Sequence, residues 1–254
     1  MVQISILVAA ALATIISPAQ AEQAFGNGWD DNSETSWITH FSTNIVVPKA
    51  PSPQQDWLVL WPALQSPKAL MQPILGSYNS PPCSATNGQW CSFTYTLLLP
   101  ESTVKQGPTL APVGPGTHLH IAIQHVPSIQ GYQQTIRRGG ASGNVISHRS
   151  DKNVGQARRA EFHVECDLQF SRPTPRHVYT DTTIVFAKAV HDFKGHADQH
   201  KNVELSGFSS PDGGKTWHIK KLVVKQGDCT PEGQAQSIFA LGSGAMNGGN
   251  STDN

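Results

Sequence analysis

The most regular stretch of the chain is Arg159–Phe170, RAEFHVECDLQF, where apolar and polar residues alternate. Phe162, Val164, Cys166, Leu168 and Phe170 point one way, and Glu161, His163, Glu165, Asp167 and Gln169 the other. A period of two is that of a β-strand, so one face of this segment belongs to a core. Thr117–His125 repeats the pattern, with Leu119, Ile121 and Ile123 on one side and His118, His120 and Gln124 on the other. Trp90–Leu99 places Phe93, Tyr95, Leu97 and Leu99 together on one face.

The rest of the chain predicts more strands and no helix of useful length. Trp37–Val47 reads as the first strand, and Trp57–Trp61 as a doubly buried one stopped by Pro62. In Leu70–Tyr78, Pro73 forces a bulge or an edge. Pro100–Gly116 is rich in Pro and Gly and reads as a loop. Ile129–Arg138 is a polar strand, and a short strand lies near Val145. Thr182–Val190 buries either Ile184, Phe186 and Val190 or Val185, Ala187 and Ala189. Val203–Phe208 and Trp217–Lys225 form a last hairpin. Strand after strand with Pro/Gly punctuation predicts an all-β jelly-roll sandwich of two antiparallel sheets.

Composition narrows the setting. Ile4–Ile16 is an apolar run ending in the small-residue pattern Ala19-Gln20-Ala21, so residues 1–21 read as a signal peptide and the protein as secreted and extracellular. Residues 22–229 then form the sandwich domain. Residues 230–254, rich in Gly, Ser and Asn, form a disordered tail with a glycosylation acceptor at Asn250. A net charge of zero with 14% charged residues argues against nucleic acid or a membrane as partner. Four cysteines in a secreted chain predict two disulfides, and Cys83–Cys91 with Cys166–Cys229 is the favoured pairing.

Chemistry is suggested first by the ladder Glu161, His163, Glu165 and Asp167. Residues two apart on a strand face lie about 6–7 Å apart, and crowded carboxylates push one pKa up, which makes an acid beside a base. Its E-x-H-x-E-x-D pattern resembles the E-x-D-x-x-E strand of laminarinase-type glycosidases, with His163 standing at an aspartate position. His118, His120 and Gln124, with Tyr132, Arg137 and Arg159, match the residue types with which alginate-lyase-type jelly rolls neutralise a carboxylate and move a proton. Two histidines at i and i+2 with a neighbouring carboxylate could alternatively hold Zn²⁺; no metal and no cofactor is assigned. Ser210-Pro-Asp212-Gly-Gly214-Lys-Thr216-Trp217 matches the Asp-box of sialidases and reads here as a hairpin device.

The order HFSTNIVVP, WLVLWPALQ, LMQPILG and a strand from Trp90 resembles a family of secreted fungal and bacterial proteins with a concanavalin-A-like sandwich. That resemblance implies fold and secretion. The expectation is a carbohydrate-active protein, a polysaccharide lyase or glycoside hydrolase. Its catalytic residues are Glu161, His163, Glu165, His118 and His120, all lining one cleft. Gln124, Tyr132, Arg137, Arg159 and Asp167 bind a carbohydrate or small-molecule substrate. The alternatives are a non-catalytic sugar-binding lectin and a small-molecule cyclase or isomerase of a fungal pathway.

Overall fold

The structure, a computed structural model, describes residues 36–52, 54, 58–77, 83–166, 173–199, 202–228 and 237–242, of which 195–199, 228 and 237–242 are described by backbone alone. In chain order the strands are β1 (Ile38–Val46), β2 (Leu58–Ser66), β3 (Ala69–Ser77), β4 (Trp90–Leu98), β5 (Thr103–Gln106) and β6 (Ala111–Val113). There follow β7 (His118–Val126), β8 (Gly131–Arg138), β9 (Asn144–Asp151), β10 (Arg159–Cys166), β11 (Pro173–Thr174) and β12 (His177–Phe186). The last are β13 (Ala197–Gln199), β14 (Val203–Ser209), β15 (Thr216–Val224), β16 (Gly227–Asp228) and β17 (Ser237–Gly242), the final strand falling within the stretch read from sequence as a tail.

Among the described residues one sheet runs β14-β15-β12-β1-β7-β8-β9 and the other β13-β17-β10-β2-β3-β4-β5, with β6 paired to β4. Their ladders are antiparallel, so the jelly-roll sandwich expected from alternation is the fold found. Ile121 and Ile123 of β7, Phe162 and Val164 of β10 and Ile184 and Phe186 of β12 all enter the core between the sheets. Phe162 sits 4.7 Å from Tyr179 and 5.7 Å from Phe41, ring centre to ring centre, which joins the two sheets through aromatic contact.

Several expectations need correcting. β2 does not stop at Pro62 but continues to Ser66. β3, carrying Pro73, is an interior strand between β2 and β4. The two prolines explain each other. The β2–β3 register reads Leu60↔Leu75 and Leu64↔Met71 and is interrupted between them, where Pro62 and Pro73 stand opposite one another. Neither has an N–H to give, so one gap in the ladder absorbs both. Pro100–Gly116 is not a plain loop, since β5 and β6 lie in it.

β4 turns the face of Phe93 and Tyr95 away from the core between the sheets. Its Phe93 packs in a second apolar cluster on the outer side of its sheet, with Val59, Trp61, Ala63, Ile74, Cys83 and Cys91. Thr94 and Thr96 face inward and are buried because each has a partner from β9 of the other sheet. Ser147 Oγ accepts from the Thr94 N–H at 3.0 Å, and the Thr96 hydroxyl donates to Asp151 at 2.7 Å. Burying hydroxyls is cheap only when they are bonded, and here they are.

The Asp-box is a hairpin device, as expected. Asp212 accepts the Thr216 N–H at 2.7 Å, Ser210 Oγ accepts the Gly214 N–H at 2.7 Å, and Trp217 donates to the Val190 carbonyl at 3.0 Å. Cys83–Cys91 is a disulfide. Cys166 is also disulfide-bonded, while its expected partner Cys229 lies outside the described residues, as does Asn250. Among the described residues no helix is long and apolar enough to cross a membrane.

Candidate functional site

The outer face of the β10-β2-β3-β4 sheet is where chemistry concentrates. Ala160, Phe162 and Val164 go to the core, so strand alternation sends Arg159, Glu161, His163 and Glu165 to this outer face. β2 contributes Val59, Trp61 and Ala63 there, β3 contributes Gln72 and Ile74, and β4 contributes Phe93 and Tyr95. Glu161 pairs with Ala63. The register on both sides of the proline gap sets Ala63 opposite Gln72, and Gln72 pairs with Tyr95. Directly opposed residues share a face, so Glu161, Ala63, Gln72 and Tyr95 form one line across four strands. Glu161 and Gln72 are two strand spacings apart, about 10 Å between Cα atoms, with the buried Ala63 of β2 between them in the sheet.

Both ends of that gap are nearly inaccessible: Glu161 is 2% exposed and Gln72 5%. Glu161 Oε2 lies 2.5 Å from His163 Nε2. Its Oε1 lies 2.7 Å from Arg159 Nε, an ion contact whose angle falls outside hydrogen-bond geometry. Burial pushes the Glu161 carboxyl up, but the His163 hydrogen bond and the charges of His163 and Arg159 outweigh it and hold the group below its ordinary value. The His163 ring stacks on Trp61, centroids 4.1 Å apart and planes 22° from parallel. The Trp61 Nε1–H in turn donates to Glu165 at 3.3 Å. Burial raises the Glu165 carboxyl, opposed by the Trp61 hydrogen bond and the His163 charge. Gln72, by contrast, makes no hydrogen bond to any described residue.

An ionised carboxylate held by Arg159 and His163, in line with an amide that no described residue bonds, can activate a water and stabilise a developing oxyanion. Among the described residues no cluster of His, Cys, Asp and Glu has the geometry of a metal site.

Comparison with known proteins yields folds rather than relatives. No family model matches the chain, and no curated protein matches it. Two solved structures are similar in shape. One is a Scytalido-glutamic peptidase with a peptide-based transition-state analogue, at 14% identity and a TM-score of 0.43, covering 76% of this chain and 94% of that one. The other is SCP-B, a member of the Eqolisin family of peptidases, in complex with the tripeptide Ala-Ile-His. It shows 12% identity and a TM-score of 0.44, covering 79% of this chain and 94% of that one.

The expected single cleft does not form. Glu161, His163, Glu165 and Arg159 stand together, but His118 and His120 lie on β7 in the other sheet. Leu119, Ile121 and Ile123 of β7 fill the core, so His118 and His120 point out of the opposite side of the molecule. There His120 Nδ1 is 2.9 Å from Asn44 Oδ1, and burial, with His40 and Arg137 nearby, lowers its pKa. Gln124 and Arg137 share that opposite face, Arg137 donating to the Gly143 carbonyl at 3.0 Å. Tyr132 is a core residue whose hydroxyl donates to the Ile38 carbonyl at 2.7 Å and accepts the Ala157 N–H at 2.8 Å. Asp167 lies outside the described residues.

Gln72 and Ala63 escaped the sequence reading. A lone amide on one strand reads as ordinary polarity. The available signal was that LMQPILG is apolar on both faces except at Gln72, which asks why an amide is buried there.

Proposed function

We propose that this protein is a secreted hydrolase acting at a carbonyl, with Glu161 as general base and Gln72 as oxyanion donor, and that its substrate class is the peptide bond. The observation that carries the reading is Gln72, a largely buried residue whose amide no described residue hydrogen-bonds, aligned with an ionised carboxylate across Ala63. A substrate carbonyl would supply the missing partner. Glu161 takes a proton from water, and the hydroxide attacks the carbonyl carbon. The Gln72 N–H groups bind the oxyanion. Glu161 then returns its proton to the leaving nitrogen as the C–N bond breaks, giving an acid and an amine. The Cys83–Cys91 disulfide fits an oxidising, extracellular setting.

Glycoside hydrolysis fits the geometry less well. It needs two carboxyl groups about 5–9.5 Å apart. Glu161 and Glu165 are four residues apart on one strand, about 13 Å, with His163 between them. One observation favours a second reading, a binding module. Both Glu161 oxygens are already engaged, by Arg159 and His163, which suits an anion that holds a ligand without reacting.

Incubating the mature protein with a mixed peptide library, across acid to neutral pH, and reading cleavage by mass spectrometry tests the proposal. Cleavage should occur and should fall at least about 10²-fold in Glu161→Gln. Binding without cleavage selects the second reading. Cleavage untouched by Glu161→Gln overturns the assignment of the base.

A further inference from the structure

We propose that His163 is the positioning residue of this site, and that the ring stack on Trp61 aims the Glu161 carboxylate along the Ala63–Gln72 line. The inference rests on the reading of Glu161 and Gln72 as the reacting pair. It goes beyond that reading because His163 itself need not touch substrate.

The argument starts from a freedom that must be removed. A glutamate on a strand has three rotatable side-chain bonds, and its carboxylate can swing over several neighbours. Useful general-base geometry requires it to face one place, within hydrogen-bond reach of a water. Arg159 alone does not fix it, since the Arg159 contact lies outside hydrogen-bond angles. His163 does, at 2.5 Å from Oε2. An imidazole held by one hydrogen bond could still rotate about its own axis. The parallel stack on Trp61, 4.1 Å between centroids, removes that rotation. The indole is anchored in turn by its Nε1–H to Glu165. The relay therefore runs Glu165, Trp61, His163, Glu161, and it crosses from β10 to β2 and back. It occupies Oε2, while Oε1 is covered from solvent and keeps the Arg159 ion contact. A carboxylate offers about four lone-pair sites, so this contact does not exhaust it.

Among the described residues, those in register with Glu161 or on its side of the sheet are as follows. Arg159, His163 and Glu165 come from its own strand; β2 offers Gln65, Ala63 and Trp61; β3 and β4 offer Gln72 and Tyr95; and Asp198 stands in register beyond Ala240 of β17. Of these, His163 alone hydrogen-bonds the carboxylate in the described structure.

The test compares His163→Ala with His163→Gln, whose amide can restore a donor to Glu161, and Trp61→Leu with Trp61→Phe, which keeps a stacking face. Two readouts are taken. One is peptide turnover against pH, with kcat and KM separated. The other is the carboxyl titration of Glu161 followed by carbon-13 NMR, which needs no substrate. His163→Ala and Trp61→Leu should lower kcat about 10-fold or more while KM moves little, and should return the Glu161 titration toward the ordinary carboxylate range. The paired conservative variants should recover most of both. A Glu161 titration unmoved in His163→Ala overturns the inference, as does a loss confined to KM. If the wild-type protein cleaves no peptide, the proposed function has failed, and the NMR titration still decides whether His163 holds Glu161.

Discussion

Gln72 faces Glu161 across Ala63, and no described residue hydrogen-bonds its amide. A residue kept for stability would satisfy its amide or be apolar. Replacing Gln72 by Leu should therefore leave stability little changed, because no hydrogen bond to a described residue is lost. The same change should lower peptide turnover about 10²–10³-fold if the amide serves the oxyanion. Urea midpoints and kcat measured on one preparation check both halves. A destabilised Gln72→Leu with unchanged turnover would contradict both.

Architecture was legible in the sequence wherever one face of a strand was apolar. β7 and β10 declare their inward residues by simple alternation, and both sit as expected. For β4 alternation gives a shared face and not its direction, since the strand is apolar on its outer face. There a second cluster with Trp61, Ile74 and the Cys83–Cys91 bridge packs against it, while its inward threonines are bonded from β9. The half of the site on β10 was legible, since Glu161, His163, Glu165 and Arg159 lie on one strand. The other half was not, because Gln72 enters the line only through the β2–β3 register. The merger of β7 with β10 failed for the same reason. Parity says that a side chain leaves the core, and only topology says from which sheet.

Acid stability should depend on His177. Its ring is buried, Nδ1 donates to the Pro175 carbonyl at 2.8 Å, and Nε2 has no partner. Burial lowers its pKa from 6.5 to about 4, opposed by the Pro175 bond and helped by the charge of Arg176. The unfolded chain protonates first as pH falls. The stabilisation is therefore complete above about pH 6.5 and lost progressively down to about pH 4. The loss is on the order of 3 kcal/mol. His177→Phe should flatten this segment of the stability–pH curve, whatever it costs at neutral pH. Denaturant midpoints at several pH values decide it, and an equally steep curve in the variant refutes the assignment.

Asp151 should prove the costliest carboxylate to remove. It is 2% exposed, accepts from the Thr96 hydroxyl at 2.7 Å and Gln134 Nε2 at 3.0 Å, and pairs with Arg149 at 2.7 Å. Thr96 belongs to one sheet and Gln134 and Arg149 to the other, so the carboxylate bridges the sandwich. Asp151→Ala takes the ion partner from a half-buried guanidinium and the acceptor from the buried Thr96 hydroxyl, a loss of about 3–5 kcal/mol. Thermal unfolding should show it, and a change below about 1 kcal/mol would mean that water replaces the network.

Ala63 provides the most direct test of the gap itself. It is fully buried, and the side chains of Glu161 and Gln72 flank it across the sheet. Any larger side chain there presses on the line that joins Glu161 to Gln72. Ala63→Val adds two methyl groups, and the overpacking should cost about 1–3 kcal/mol. Turnover should fall far more than that loss explains, since a misplacement of about 1 Å can cost about 10²-fold. Neither Glu161 nor Gln72 changes in this variant, so their chemistry is intact. The Glu161 carboxyl should still titrate below its ordinary range, because His163 and Arg159 still hold it. Loss of turnover with that titration preserved would mark the gap, rather than either residue alone, as the place of reaction. If Ala63→Val stays folded with undiminished turnover, no substrate atom passes between Glu161 and Gln72, and the line drawn across the four strands is not a catalytic one.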